Sequence, residues 1–317
     1  MKKTILLAMA ALGATGLSRA APIDFSKVSA ESNWVAHADF EALRKSVVGS
    51  FIITKAKEDP KTAKGITAMK AFFGFDLDAL SNFTAYGRGE PNKAIFTAKG
   101  GFDSARLQAM LELNESYVAK MHGDTVIHLI DQDKDDPKAI AFTAKDELLG
   151  TPSASFTKHA LDVAHGKEPS LKPKAIHKAL SNLMPHPVLM AAVDVKGVAE
   201  FNKVSEGPEA VIIQKARAIG LVVGETGGML IAIALLEAAD EETATHVENI
   251  ARGFTSLLAL GSDIDPGLAE LLAKTKTKVS REGNTVSVKL GIEVEVAKAI
   301  ISQGIAKKQA SSEKGLE

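Results

Sequence analysis

Apolar and polar residues alternate along this chain in a pattern that repeats itself. Met229 to Leu236 is almost continuously apolar and follows Gly227-Gly228, which predicts a strand buried on both faces. The run is too short to cross a bilayer, which takes roughly 20 residues. Asp240 then supplies a side-chain acceptor for a helix start, and Glu241 and Glu242 suit the positive end of the helix dipole. Ala244, Val247, Ile250, Ala251, Phe254, Leu257 and Leu258 recur at three- and four-residue steps, predicting one apolar helix face that ends near Gly261.

The same strand, glycine turn, strand and helix cap read earlier in the chain. YGRGEPNKAIFTAKGGFD, ending at Asp103, aligns without a gap on VGETGGMLIAIALLEAAD, ending at Asp240. His122-Gly123-Asp124-Thr125-Val126 parallels Glu282-Gly283-Asn284-Thr285-Val286, and both carry a hairpin signal because Gly, Asn and Asp tolerate positive φ. Trp34 to Asp39 parallels Leu189 to Asp194, a strand ending in Asp before a helix. Three matches in one order predict a tandem duplication.

The remaining pattern fills in the halves. Phe40 to Lys57 has a helical stripe, broken near Pro60, and a second helix is expected from Thr62 to Phe73. Hairpins are expected over Phe83–Arg88 with Lys93–Lys99, and over Tyr117–Met121 with Thr125–Asp131. Lys138–Ala144 and Glu147–Gly150 form an extra pair without a counterpart, and a helix over Ser153–His165 closes the half. Four prolines between Lys167 and Pro187 mark a junction around a short helix at Ala175–Leu183. The second half adds helices over Val195–Asn202, Pro208–Arg217 and Pro266–Lys274, a strand over Ala218–Gly224 and a last hairpin before a helix starting at Glu293.

These elements predict an α+β fold, a tandem duplication of a β-α-β-β-α-β-β-α unit with antiparallel sheets covered on one side by helices. The expected divisions are a signal peptide at 1–20, a first half at 21–166 opening on a polar lead-in, a Pro-rich junction at 167–187, a second half at 188–305 and a disordered tail at 306–317.

Composition adds most at the N-terminus. Lys2 and Lys3 precede an apolar stretch from Ile5 to Leu17, and Ser18-Arg19-Ala20 has small residues where a signal peptidase reads them. This predicts export to the periplasm or medium, with cleavage after Ala20. No cysteine follows, so a lipid-modified anchor at this position is excluded. The chain has no cysteine at all, which rules out disulfides, thiol nucleophiles and thiolate metal sites. Cleavage removes Lys2, Lys3 and Arg19 and no acid, taking the formal charge from −1 to −4. That balance argues against nucleic acid as a partner.

Candidate chemistry is sparse. Asp131, Asp133 and Asp135 have the alternate spacing of a calcium loop, but Asp136 stands where the tight-turn glycine belongs and Phe142 where the bidentate glutamate belongs. His122 with His128, on one side of a hairpin, and His159 with His165, on one helix, are pairs without a third ligand at metal spacing, and His37 reads as a satisfied core or edge imidazole. Ser155 to Lys158 fits S-x-x-K without its companion motifs. Gly220, Gly224, Gly227 and Gly228 match no phosphate loop and read as a hairpin turn. Asp39 and Asp194 read as helix caps. Asn82 and Asn114 head formal glycosylation sequons, relevant only in a eukaryotic host.

The motif order, signal peptide and lack of cysteine resemble exported bacterial proteins of planctomycete and verrucomicrobia type. The resemblance implies a periplasmic or secreted protein and carries over no functional residue. No catalytic, cofactor-binding or metal-binding residue is assigned. The expected function is non-catalytic binding or scaffolding, with a protein or an apolar small molecule as partner. The alternatives are a periplasmic carrier of an apolar ligand such as lipid, and a carboxylate-dependent hydrolase.

Overall fold

The structure, a computed structural model, describes residues 23–90, 92–132, 134, 137–199, 215–260 and 274–314. The expected signal peptide, the predicted helix at Pro266–Lys274 up to residue 273, and most of that at Pro208–Arg217 lie outside these residues, as do Asp133, Asp135 and Asp136 of the acidic loop.

Among the described residues, twelve strands form one antiparallel sheet. In chain order they are β1 (Trp34–Asp39), β2 (Phe75–Gly87), β3 (Ile95–Phe102), β4 (Val118–His122), β5 (Thr125–Ile130), β6 (Lys138–Ala144), β7 (Glu147–Thr151), β8 (Leu189–Asp194), β9 (Ala216–Thr226), β10 (Met229–Ala238), β11 (Lys276–Glu282) and β12 (Thr285–Glu293). Their spatial order is β11-β12-β10-β9-β8-β1-β2-β3-β7-β6-β5-β4. The α+β class expected from the sequence is therefore present, but as one continuous sheet in which β1 pairs with β8. The hairpin β6–β7 is inserted between β3 and β5, whereas β12 lies directly beside β10.

The helices are α1 (Phe40–Lys45), α2 (Val47–Glu58), α3 (Pro60–Phe73), α4 (Ser104–Glu112), α5 (Ala154–Ala164), α6 (Ala175–Leu183), α7 (Val195–Ala199), α8 (Glu241–Leu260) and α9 (Val294–Lys314). The expected single helix over Phe40–Lys57 is two, because Ser46 turns extended and caps α2 through Gly49 N at 2.9 Å. Ala216 and Arg217, expected to end a helix, begin β9. The tail expected to be disordered from Ala306 continues as α9 to Lys314; no proline or glycine after Gly304 stops it within that span.

Helices cover both faces of the sheet, not one. On the first face, α5 and α6 bring Ala160, Leu161, Ile176, Leu180 and Met184 onto Val35, Met190, Val222, Ile233 and Leu235. On the second, α8 sets Ala244 and Val247 against Leu236, Val286 and Val288. Leu235 and its neighbour Leu236 belong to different cores because successive strand residues point to opposite faces. Ile250, expected on the apolar stripe of α8, is exposed. α9 packs Ala297 beside Ile292 and, from α2, Val48.

The stretches expected to be loose are part of the core. In the lead-in, Ile23 and Val28 are buried, and Val28 O accepts Leu171 N at 2.7 Å. The Pro-rich junction is held by Leu171, by Ile176 and Leu180 of α6, and by Met184 just after it, all buried. Gly220 and Gly224 lie in β9 and not in the turn, which is made by Gly227 and Gly228 at positive φ. A β-carbon at Gly220 would fall 2.7 Å from Leu180 Cδ1, so glycine here lets α6 sit close to the sheet.

Register relates the two sides of the sheet. Val35 pairs with Tyr86, which pairs with Ile95; Met190 pairs with Val222, which pairs with Ile233. With Val35 matched to Met190, as in the parallel of Trp34–Asp39 with Leu189–Asp194, Tyr86 corresponds to Val222 and Ile95 to Ile233. The gapless match instead aligns Tyr86 with Val223 and Ile95 with Ala232. It is one residue off on each strand, in opposite directions, and a one-residue slip exchanges the faces.

Candidate functional site

On the first face, three rows of side chains run across β1, β2 and β3, two of them reaching β7. The rows are Asp39, Asn82, Lys99 and Glu147; His37, Thr84, Thr97 and Leu149; and Val35, Tyr86 and Ile95. Most of these positions are polar: His37, Asp39, Thr84 and Glu147 are buried, Asn82 and Thr97 are half-buried and Lys99 is exposed, on a face where an antiparallel strand under helices normally places apolar groups. The lead-in segment lies over them, pinned by Ala30 N to Pro169 O at 3.1 Å and by Lys27 Nζ to Glu147.

Two cavities flank Tyr86. One, of about 180 Å³, is lined by Lys27, His37, Asn82, Thr84, Thr97 and Lys99, with Asp24, Val28, Tyr86 and Glu147 completing it. The other, of about 240 Å³, lies toward α5 and is lined by Ser29, Arg88, Lys93, Ser155, Phe156 and His159, among others, and again by Tyr86.

Several polar groups in these cavities already have partners. Glu147 accepts Lys27 Nζ at 2.6 and 2.8 Å and Thr143 Oγ1 at 3.0 Å. Asp24 Oδ1 accepts the amide and hydroxyl of Ser26. His37 Nδ1 lies 2.8 Å from Thr84 Oγ1, and His159 Nε2 lies 2.8 Å from Ser29 Oγ. Arg88 pairs with Glu31, and Lys93 with Glu90.

Tyr86 is different. It is 1% exposed, and its hydroxyl makes no hydrogen bond to another described residue. No enclosed side-chain nitrogen or oxygen among the described residues lacks a partner, so this hydroxyl reaches the open volume of the cavities it lines. Burial pushes its pKa far above the ordinary 10.0, which keeps the phenol protonated and able to donate.

The positions matched by register in the second half are built otherwise. His37, Thr84, Tyr86 and Thr97 correspond to Ala192, Gly220, Val222 and Leu235. There Leu180 of α6 presses onto Gly220, and Ala192, Val222, Ile233 and Leu235 join the continuous apolar core. On the first side Val35, Tyr86 and Ile95 join the same core, while His37, Thr84 and Thr97 keep the neighbouring row polar.

The sequence matches no protein-family model and no curated protein. Among solved structures, crystal form IV of TP0453 overlays with a TM-score of 0.49 at 9% identity, covering 89% of this chain and 98% of that one. Crystal form III gives 0.48 at 9% identity, covering 90% and 100%. Crystal form I gives 0.46 at 8% identity, covering 90% and 98%.

The other candidates from the sequence fall elsewhere. His122 and His128 do not share a face: His122 Nε2 meets Asp162 of α5 at 2.8 Å, while His128, on the opposite side, meets Tyr117 at 2.9 Å. Among the described residues no three metal-ligating side chains converge. Asp131 is tied to Ser116 and Lys134, which hold its carboxyl below the ordinary range. Asp39 caps α1 through Ala42 N at 2.8 Å, and Asp194 accepts Lys174 Nζ at 2.7 Å. Asn82, head of a formal sequon, lines the smaller cavity and its Thr84 is buried. Ser155 borders the larger cavity.

Tyr86, Lys99, Glu147 and Lys27 were not singled out from sequence. The available signal was the polar residue at every second position of β1, β2 and β3, on the side that Val35 marks as core.

Proposed function

We propose that the protein is an exported, non-catalytic binding protein whose small-molecule ligand occupies the cavities beside Tyr86. The observation that carries this reading is buried Tyr86, whose hydroxyl has no partner among the described residues and opens onto the cavities, at a place the other half of the sheet fills with Leu180 and Val222. A core that needed only stability would use apolar groups at both places. Export rests on residues 2–20 and agrees with the resemblance to exported bacterial proteins; among the described residues no helix is long and apolar enough to cross a membrane.

The same reading includes a tandem duplication. Its support is the shared order β1-β2-β3 and β8-β9-β10, with Asp103 and Asp240 capping the following helices through Arg106 N and Thr243 N. The β4–β5 and β11–β12 hairpins also have the same register about Gly123 and Gly283.

The apolar-carrier alternative finds less support. The roughly 450 Å³ groove beside Ala179, Leu183 and Leu235 is rimmed by Ser280, Arg281, Glu282, Thr285 and Ser287, which suits a wet surface better than a lipid. The hydrolase alternative asks for carboxyls with raised pKa values. The carboxyls moved by their surroundings, Asp76, Asp131, Asp162, Asp240 and Glu248, are all moved down.

Native mass spectrometry of protein purified from its own source tests the proposal. A retained small molecule is expected, and it should be lost from a folded Thr97→Phe variant whose ring fills the smaller cavity. A wild-type protein that carries nothing, or an adduct that survives this filling, overturns the reading.

A further inference from the structure

We infer that the ligand is a small molecule bearing a compact oxyanion, a carboxylate or a phosphate, bound at Lys99. The inference rests on the proposal that the cavities beside Tyr86 are the binding site.

Donors and acceptors are out of balance in the smaller cavity. Glu147 is occupied by Lys27 and Thr143, and Oδ1 of the exposed Asp24 at the rim accepts from Ser26. Its groups without a partner among the described residues are donors or can act as donors: the ammonium of Lys99, an exposed residue at the cavity's open end, the half-buried Asn82 amide and Thr97 hydroxyl, and the hydroxyl of buried Tyr86. An ammonium and a phenol have little use for a ligand made of donors, and an oxyanion offers several lone pairs at once.

Register supplies the layout. Lys99 and Asn82 are direct cross-strand partners, and Thr97 is two residues along β3 on the same face. Tyr86 is four residues from Asn82, about 13 Å along the strand at the usual rise. A carboxylate or phosphate at the Lys99 end leaves the Tyr86 hydroxyl to donate to a second acceptor on the same molecule. Some 180 Å³ is the space of about six waters, enough for a compact anion with a short body. Beyond Tyr86 the larger cavity gives room for a longer one.

Calorimetric titration of the full chain with inorganic phosphate and, separately, succinate tests this. Saturable binding of at least one probe is expected, stronger at low ionic strength. Lys99→Met should weaken it about tenfold or more, the usual worth of a charge-assisted hydrogen bond. Tyr86→Phe should weaken succinate more than phosphate, and Lys120→Met on the edge strand should leave both unchanged. Absence of saturable binding by either probe, or binding indifferent to Lys99→Met in a folded variant, overturns the inference. The two readings fail separately. A neutral molecule retained by the wild type and lost from Thr97→Phe keeps the cavity as the site and removes the oxyanion; no retained molecule and no probe binding removes both.

Discussion

Ala36 and Ala191 face each other across the β1–β8 pair, and the pairing is symmetric about them. Trp34 opposite Val193 is matched by Ala38 opposite Leu189, and Val35 opposite Ala192 by His37 opposite Met190. These two strands are the ones whose sequences run parallel, and Ala36 and Ala191 occupy the same place in each. The register of this one strand pair is therefore two-fold symmetric about Ala36 and Ala191. It makes the contrast between Tyr86 and Val222 a comparison of like positions.

Tyr86→Phe should leave stability unchanged or raise it by up to about 1 kcal/mol, because the lost hydroxyl has no partner among the described residues. A urea midpoint that falls with no change in slope would mean that the hydroxyl is structural. Ligand binding lost at no cost to the fold would mark a group kept for function.

Gly150 in β7 packs beneath Phe96, whose ring stacks on Phe83 with centroids 5.6 Å apart. A β-carbon at Gly150 would fall 2.1 Å from Phe96 Cζ. Gly150→Ala must displace that stack and should cost about 1–3 kcal/mol in urea unfolding.

The Lys27–Glu147 pair ties the lead-in segment over the smaller cavity. Lys27 is 37% exposed at its side chain and Glu147 11%, so the tie is only partly screened by water. Glu147→Gln should cost about 1 kcal/mol globally. Its larger effect should be local, with faster hydrogen exchange at the amides of Lys27 and Val28, which bond back to Asp24 and Phe25. Unchanged exchange there would show that the backbone bonds to Pro169 and Leu171 hold the segment alone.

Burial lowers the pKa of His128, and of His177 with help from Lys174. The unfolded chain takes up these protons near 6.5, while the folded protein resists until a lower pH. Stability should therefore be flat above about 6.5 and fall as pH drops from 6.5 toward the folded values. Below 3.8, Asp76, Asp131, Asp162 and Asp240, all lowered, add a second decline. Denaturation midpoints against pH should show both windows. His177→Gln, which can still accept from Lys174 N, should reduce only the upper one.

Local pattern in the sequence determined the α+β class, the strands and most helices, the extra β6–β7 hairpin, the tight turns at Gly123 and Gly283, and the Asp39, Asp103 and Asp240 caps. Each depends on neighbours a few residues apart, where backbone sterics and alternation act directly. The identity of His37 as a satisfied core imidazole was legible on the same grounds, from its place in an apolar strand. Tertiary structure alone decided that β1 and β8 join into one sheet, that helices cover both faces, and that the lead-in and α6 belong to the core. It also decided the site, because the Tyr86 hydroxyl lacks a partner only through what lies beside it. Lys99, Thr97 and Glu147 come from other strands and Lys27 from a segment 120 residues away from Glu147. Cross-strand register brings them together, and a one-residue error in it, as in the gapless match, would have turned each side chain to the other face.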